Sequence, residues 1–125
     1  MTVFGTRPLD QDTTAMKIYT AEFINLTGED HLVILVEKPD GRFNKYHIQG
    51  SPRIGFEFNM DENYDYQASL TYIEGSMKDV KDVDYDLGKL EEIIKSVDPP
   101  PAQANPTLQD VKNCRTWVDE VLDKL

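Results

Sequence analysis

The chain has 125 residues, a formal net charge of −10 and 39% hydrophobic residues, which is typical of one soluble globular domain with a modest core. The acidic excess repels phosphate backbones, so nucleic-acid binding is not expected. The longest apolar run, residues 32–36, is far too short to span a bilayer.

The single cysteine, Cys114, bears on the compartment of the protein. One cysteine cannot form an internal disulfide, and no secretory signal precedes the first predicted strand, so we expect an intracellular, cytoplasmic protein. The two histidines and one cysteine do not supply four metal ligands, and no spacing indicates a metal site. No metal or other cofactor is therefore expected.

The predicted elements form a single α+β domain over residues 17–125, preceded by an irregular N-terminal arm at residues 1–16. Several segments are rich in β-branched and aromatic residues, which predicts strands. They are residues 17–26, 31–37, 43–50, 54–60 and, as one or two strands, 64–77. The expected fold is an antiparallel sheet of four to five strands packed against two C-terminal helices.

Two helical stripes of apolar residues follow the strands. The first covers residues 87–97, with Asp84 or Asp86 as its N-cap, and the second covers residues 111–125. Between them, residues 98–106 contain three consecutive prolines. Prolines lack a backbone donor and hold an extended conformation, so this segment is predicted to be a stiff connector inside the domain.

The last helix has two candidate starts, and they give Cys114 different roles. If Asn113 is the N-cap, Cys114 lies in the first turn, where unpaired N–H groups and the helix dipole favour a thiolate. If the helix begins near Thr107, Cys114 lies in its middle as a small buried hydrophobic residue. Periodicity alone favours the second interpretation.

The turn between the second and third strands decides whether the two histidines can cooperate. If residues 39–41, Pro-Asp-Gly, form a three-residue loop with a glycine bulge, Lys38 pairs with Arg42. His31 and His47 then point to the same side of neighbouring strands, about 6 to 8 Å apart. A two-residue loop would place them on opposite faces. A cysteine nucleophile needs a base and a residue that orients it, and the three-residue loop would supply both.

The order of these motifs resembles that of a known family. A strand that opens with His31, a next strand that carries His47, and Asn113-Cys114 with Trp117 three residues later are similar to the lecithin:retinol acyltransferase-like group of circularly permuted papain-like proteins. The resemblance extends over about residues 17–125 and is to a small, soluble, fungal-type member. It implies a permuted papain-like core with Cys114 as nucleophile, His31 as base and His47 as the orienting residue.

Departures from that group bear on the substrate. Leu32 stands where the group often has Trp, and Arg115-Thr116 replaces the Glu-His of many acyltransferase members. Both count against phospholipid or retinoid substrates. The expected function is a cysteine-dependent hydrolase or acyltransferase that acts on an amide, ester or thioester of a small molecule or peptide.

The oxyanion of such a reaction needs at least two donors. The backbone N–H of Cys114 is the first candidate, and Gln49 and Tyr46 are candidates for the second, with Asn113 in support. The alternative function is a non-catalytic protein-binding or effector module on the same fold, which would use its acidic face or an apolar groove for a protein partner. An unreactive Cys114 would distinguish this alternative from the enzyme.

Overall fold

The computed structural model describes residues 15–25, 30–103 and 112–125. The protein has an α+β fold in which a five-stranded antiparallel sheet packs against two helices, in agreement with the expected class. The elements are β1 Met16–Phe23, β2 His31–Glu37, β3 Phe43–Ser51, β4 Gly55–Asp61, β5 Lys78–Val83, α1 Leu87–Lys95 and α2 Cys114–Lys124. None of the described helices is long and apolar enough to cross a membrane.

The N-terminal arm was predicted to end at residue 16, but Met16 already belongs to β1, where it pairs with Val83 of β5. The part of the arm before residue 15 lies outside the described residues. Met16 is 5% exposed, so burial of its side chain accounts for the earlier start of the strand.

The strands are arranged in the order β4-β3-β2-β1-β5. The prediction of strands within residues 64–77 is wrong, because this segment contains a 3₁₀ turn at Tyr66–Ala68 and an isolated bridge from Tyr72 to Phe23. Its aromatic residues cover one face of the sheet instead of extending it. The fifth strand follows at Lys78–Val83, an edge strand whose mostly exposed, charged residues lack an alternating apolar pattern.

The turn between β2 and β3 has the predicted three-residue loop. The N–H of Lys38 donates to the carbonyl of Arg42 over 2.8 Å, and the N–H of Gly41 donates to the carbonyl of Lys38 over 2.9 Å. Gly41 has a φ of +86°, a conformation that a residue with a β-carbon rarely adopts. Glu37 therefore pairs with Phe43, and the predicted register is confirmed.

The sheet has an apolar cluster on each face. The larger cluster lies between the sheet and the two helices, and we call this side the helix face. The smaller cluster lies on the opposite side beneath the aromatic residues of the segment 62–77, and we call this side the loop face. The largest fully buried side chains of the helix face are Trp117, Tyr46, Ile18, Ile34, Ile48, Leu90 and Ile94. Burying one such side chain stabilises the fold by roughly 1.5 to 3 kcal/mol.

Each helix begins at a side-chain cap. Of the two aspartates proposed for α1, Asp86 is the N-cap, and its Oδ1 accepts from the N–H of Lys89 over 2.8 Å.

The indole of Trp117 in α2 donates from Nε1 to the carbonyl of Val97 over 3.0 Å. This bond joins the last helix to the residues that follow α1.

The connector is irregular over residues 98–103, as predicted, and residues 104–106 lie outside the described part of the chain. It pairs with the turn before β4, where the N–H of Gln103 donates to the carbonyl of Pro52 over 2.7 Å. The Gln103 side chain also donates to the carbonyl of Lys112 and accepts from its N–H, each over 3.1 Å. These bonds fix the chain immediately before the start of α2.

Candidate active site at the start of the last helix

The start of α2 makes Cys114 the first helical residue. Asn113 is extended, with φ −144° and ψ −163°, and its Oδ1 accepts from the N–H of Arg115 over 2.9 Å. The hydroxyl of Thr116 accepts from the N–H of Asn113 over 3.2 Å, which completes a capping box. The start at Asn113 is therefore confirmed, and residues 107–111 of the alternative helix lie outside the described residues.

The sulfur of Cys114 lies where the ladder between β2 and β3 stops. Its Sγ accepts a hydrogen bond from the N–H of Leu32 over 3.5 Å. The paired register of the two strands ends at Ile34 and Tyr46. If the alternation of hydrogen-bonded pairs continued, the N–H of Leu32 would donate to the carbonyl of Ile48. The sulfur is thus a partner for an amide that lies beyond the paired register.

The two histidines lie side by side on the loop face. His31 Nε2 is 3.2 Å from His47 Nδ1, and the two rings are nearly perpendicular, at 87°. His31 pairs with Phe23, which belongs to the loop-face cluster, so the register fixes this side. The prediction that both imidazoles share one face is confirmed. The other nitrogen of His47, Nε2, is 3.3 Å from Asp61 Oδ2.

Cys114 and the imidazole of His31 lie on opposite sides of the sheet, next to the peptide that joins His31 to Leu32. α2 packs on the helix face, whereas the imidazoles lie on the loop face, and the amide that holds the sulfur belongs to Leu32, directly after His31. Within the described residues the sulfur makes no hydrogen bond with an imidazole, so the expected thiol–imidazole contact is not formed. Cys114 is 9% exposed and His47 is 4% exposed, so both groups are largely shielded from water.

The environment of the histidines disfavours the protonated form of both rings. Burial lowers the pKa of His47 below the usual value, the nearby Lys45 and His31 lower it further, and Asp61 acts in the opposite direction. Burial and Lys45 also lower the pKa of His31. The ammonium of Lys45 lies 4.5 Å from the ring centroids of Phe23 and of a tyrosine in the covering segment. Neutral imidazoles can accept a proton, which a general base requires.

The two predicted oxyanion donors have other partners. The hydroxyl of Tyr46 donates to Glu91 over 2.6 Å and accepts from Asn44 over 3.1 Å in a buried network. The side-chain oxygen of Gln49 accepts from Asn59 over 3.0 Å on the exposed surface. In the part of the chain that the structure describes, neither side chain forms a hydrogen bond with Cys114. Tyr46 is therefore committed to the core, whereas the amide hydrogens of Gln49 are not used in this contact.

Asp61 and Lys45 are site residues that the sequence did not reveal. They are cross-strand partners in the β3–β4 register, next to the pair formed by His47 and Asn59. Asp61 opens an acidic stretch that resembles a solvated surface, and only the register of the second hairpin brings it to His47. Within the described residues no three His, Cys, Asp or Glu side chains group as a metal site requires.

An ion pair anchors the first turn of α2 to the sheet. Arg115 Nη2 donates to Glu22 Oε1 over 2.6 Å, and Glu22 pairs with Leu32 across β1 and β2. The two side chains are 42% and 29% exposed, and ion pairs of this kind contribute about 0 to 1 kcal/mol. The pair joins the residue after Cys114 to the cross-strand partner of Leu32, and so it helps to fix the position of Cys114.

A family model with the description "Family of unknown function (DUF6540)" matches residues 18–125. No curated protein and no solved structure matches the chain. The matched range includes every candidate site residue from His31 to Cys114. The match thus covers the whole site without assigning chemistry to it.

Proposed function

The chain belongs to DUF6540, a family of unknown function, and we propose from the geometry of its site that it is a cysteine-dependent hydrolase or acyltransferase acting on an amide, ester or thioester. The single observation that carries the proposal is the hydrogen bond from the N–H of Leu32 to the sulfur of Cys114. It holds a thiol at a helix start against the residue that follows His31.

The sulfur lies at the start of a helix. As the first residue of α2, directly after the Asn113 cap, Cys114 is at the positive end of the helix dipole. The N–H of Leu32 adds a donor aimed at the sulfur. A thiolate is the reactive form of cysteine, so these features support a nucleophile.

The proposed reaction begins with transfer of the thiol proton of Cys114 to the neutral imidazole of His31. The thiolate attacks the carbonyl carbon and forms a tetrahedral oxyanion, which the N–H of Cys114 and the side-chain amide of Gln49 would hold. The imidazolium returns the proton to the leaving amine, alcohol or thiol, which leaves an acyl-cysteine. Water or another acceptor then gives up a proton to His31, attacks the acyl carbon and displaces the Cys114 sulfur, to which the imidazolium returns the proton.

Ligand-free active sites often have long catalytic hydrogen bonds that tighten when substrate binds. The absence of a direct bond between Cys114 and an imidazole in the described residues is compatible with this behaviour. His47 would hold the ring of His31 through the contact of 3.2 Å. These are the roles that the resemblance to the lecithin:retinol acyltransferase-like group implies.

The proposal includes a permuted papain-like core. Its support is the chain order, in which a strand opening with His31 and a strand carrying His47 precede a helix that starts at Cys114. Leu32 and the Arg115-Thr116 pair depart from the lipid-acting members, so the proposed substrate is an acylated small molecule or peptide.

Acyl transfer to Cys114 provides the test. The protein is incubated with p-nitrophenyl acetate and with a small alkyl thioester, and the adduct is located by peptide mass spectrometry. We expect one acetyl group on Cys114, release of p-nitrophenol with turnover, and loss of both in Cys114→Ala. His31→Ala should retain the thiol but acylate more slowly, by on the order of 10²-fold or more.

The same experiment identifies the outcome that overturns the proposal. If Cys114 in the folded protein reacts with neither ester, thioester nor iodoacetamide, whereas the urea-unfolded protein reacts normally, the thiol is an inert core residue. A folded protein with a reactive thiol whose rate does not change in His31→Ala would also exclude the proposed mechanism.

A further inference from the structure

We infer that Asp61 is a positioning residue that fixes the tautomer of His47 and, through it, that of His31, so that Nδ1 of His31 is the atom that accepts the proton of Cys114. The catalytic part of this inference depends on the proposed function, but the tautomers do not. The geometry that carries it is the line of contacts from Asp61 to His47 and from His47 to His31.

The first step concerns Asp61 and His47. An ionised carboxylate can only accept hydrogen bonds, and Asp61 Oδ2 lies 3.3 Å from His47 Nε2. The proton of the neutral ring is therefore on Nε2, because a lone pair there would face a negative oxygen. A neutral imidazole has one N–H, so Nδ1 of His47 carries the lone pair.

The second step derives the tautomer of His31 from that of His47. His31 Nε2 is 3.2 Å from His47 Nδ1, a distance that requires one donor and one acceptor. Because His47 Nδ1 accepts, His31 Nε2 must donate, and the lone pair of His31 is left on Nδ1. The reverse direction would put a proton on His31 Nδ1, and that nitrogen could then not act as a base.

The third step is the state of the site at neutral pH. His47 is buried, and the positive charge of Lys45 opposes protonation of both imidazoles, so the protonated form of either ring is disfavoured. Lys45 is the direct cross-strand partner of Asp61, yet the carboxylate contacts His47. Lys45 instead lies against the ring of Phe23 and a neighbouring aromatic ring. Burial and the charge of Lys45 thus disfavour protonation of both imidazoles. The contact with Asp61 fixes which nitrogen of each ring carries the proton.

The fourth step places the accepting atom. Within the described residues Nδ1 of His31 forms no hydrogen bond, whereas Nε2 is engaged by His47. The next residue, Leu32, holds the sulfur of Cys114 through its N–H. The unused nitrogen and the thiol therefore belong to groups on either side of a single peptide, and proton transfer from Cys114 requires the two to come into contact when substrate binds.

The test measures the tautomers directly by long-range ¹H–¹⁵N correlation spectra of the full chain at pH 7.5. With two histidines in the sequence, the four ring nitrogens can be assigned from His31→Gln and His47→Gln. We expect both rings of the unmodified protein to be protonated on Nε2. In Asp61→Asn, whose amide can donate as well as accept, we expect the Nδ1–H form to appear on both rings. Glu57→Gln, an exposed carboxylate on the same strand, should leave both rings unchanged.

Two results overturn the inference. One is a proton on Nδ1 of His47 or His31 in the unmodified protein, and the other is an Asp61→Asn variant that folds, by circular dichroism, with unchanged tautomers. Should Asp61→Asn not fold, Asp61→Glu is measured in its place, and the longer carboxylate should keep both rings protonated on Nε2. A change to Nδ1–H in that variant counts against the inference.

A kinetic arm separates this inference from the proposed function. Asp61→Asn should lower kcat for ester hydrolysis by on the order of 10²-fold with little change in KM, and Asp61→Glu should restore part of the loss. Expected tautomers in a protein without any Cys114-dependent hydrolysis would refute the proposed function and leave the tautomer assignment standing. Cys114-dependent hydrolysis that Asp61→Asn does not slow would refute the role of Asp61 and leave the function standing.

Discussion

The backbone N–H of Leu32 donates to the sulfur of Cys114 over 3.5 Å, which joins two residues 82 positions apart in the sequence. This contact ties the first residue of α2 to the strand that opens with His31, at the point where β2 and β3 cease to pair. Cys114 is also a member of the helix-face core cluster. The contact therefore adds a polar partner to a thiol whose other surroundings include apolar side chains.

Substitutions at Cys114 should separate its chemistry from its structural contact. Cys114→Ser keeps an acceptor for the N–H of Leu32, whereas Cys114→Ala removes it, at a cost of about 1 kcal/mol in the free energy of unfolding. Both variants should fold and both should lose ester and thioester hydrolysis. Urea denaturation and the hydrolysis rate give the two measurements. Hydrolysis that persists in Cys114→Ala would show that another residue carries it.

The stability of the protein should decrease as the pH falls below about 6.5, because the pKa values of His31 and His47 are lowered by burial and by Lys45. In this range the two imidazoles bind more protons in the unfolded state than in the folded state. The free energy of unfolding then falls by up to about 1.4 kcal/mol per pH unit for each imidazole. The measurement is urea denaturation between pH 7.5 and 5.

A matched variant isolates the contribution of one imidazole. His47→Gln removes the more deeply buried ring, so the difference in stability between it and the unmodified protein should shrink as the pH falls from 7 to 5. Titration of the many carboxylates changes both proteins alike and cancels in this difference. A difference that stays constant over this range would contradict the lowered pKa of His47.

The sequence predicts those parts of the fold that local chemistry specifies. The β2–β3 register follows from Pro39, Asp40 and Gly41, because a three-residue loop of this type fixes which residues pair. The side on which both histidines lie follows from the same turn. The strand at Lys78–Val83 could not be predicted, since its charged residues pair at a sheet edge with little side-chain burial.

The candidate site could be predicted only in part, because tertiary contacts decide the rest. Two capping signals compete for the start of α2, and the bonds from Gln103 to Lys112 fix the chain just before the one at Asn113. Asp61 reaches His47 through the β3–β4 register. That register depends on Gly50, where an added β-carbon would overlap the carbonyl oxygen of the facing strand.

Two tyrosines whose hydroxyls are buried should respond differently to loss of the hydroxyl. The Tyr85 hydroxyl is buried and has no hydrogen-bond partner among the described residues, and burial raises its pKa. Tyr85→Phe removes an unpaired polar group, so the free energy of unfolding should stay within about 0.5 kcal/mol or rise. Tyr46→Phe leaves Glu91 and Asn44 without their shared partner and should cost about 1 to 3 kcal/mol.

Urea denaturation of both phenylalanine variants at pH 7.5 compares these effects under one condition. Since the two changes remove the same atom from the same residue type, the difference between them reports the hydrogen bonds alone. Equal losses in the two variants would contradict the assignment of Tyr46 to a satisfied network.

Trp117 should be the side chain of α2 on which the fold depends most. It is fully buried, contacts the ring of Phe58 at a centroid distance of 6.0 Å, and donates to the carbonyl of Val97 over 3.0 Å. Trp117→Ala leaves a cavity and an unpaired carbonyl and should cost about 3 to 5 kcal/mol, a large share of the roughly 5 to 15 kcal/mol that stabilises a domain. Asp119→Ala, on the exposed side of the same helix, should change the stability by less than about 0.5 kcal/mol. Far-UV circular dichroism and urea denaturation measure both variants. A Trp117→Ala protein as stable as Asp119→Ala would mean that α2, and with it Cys114, is not held in place by this contact.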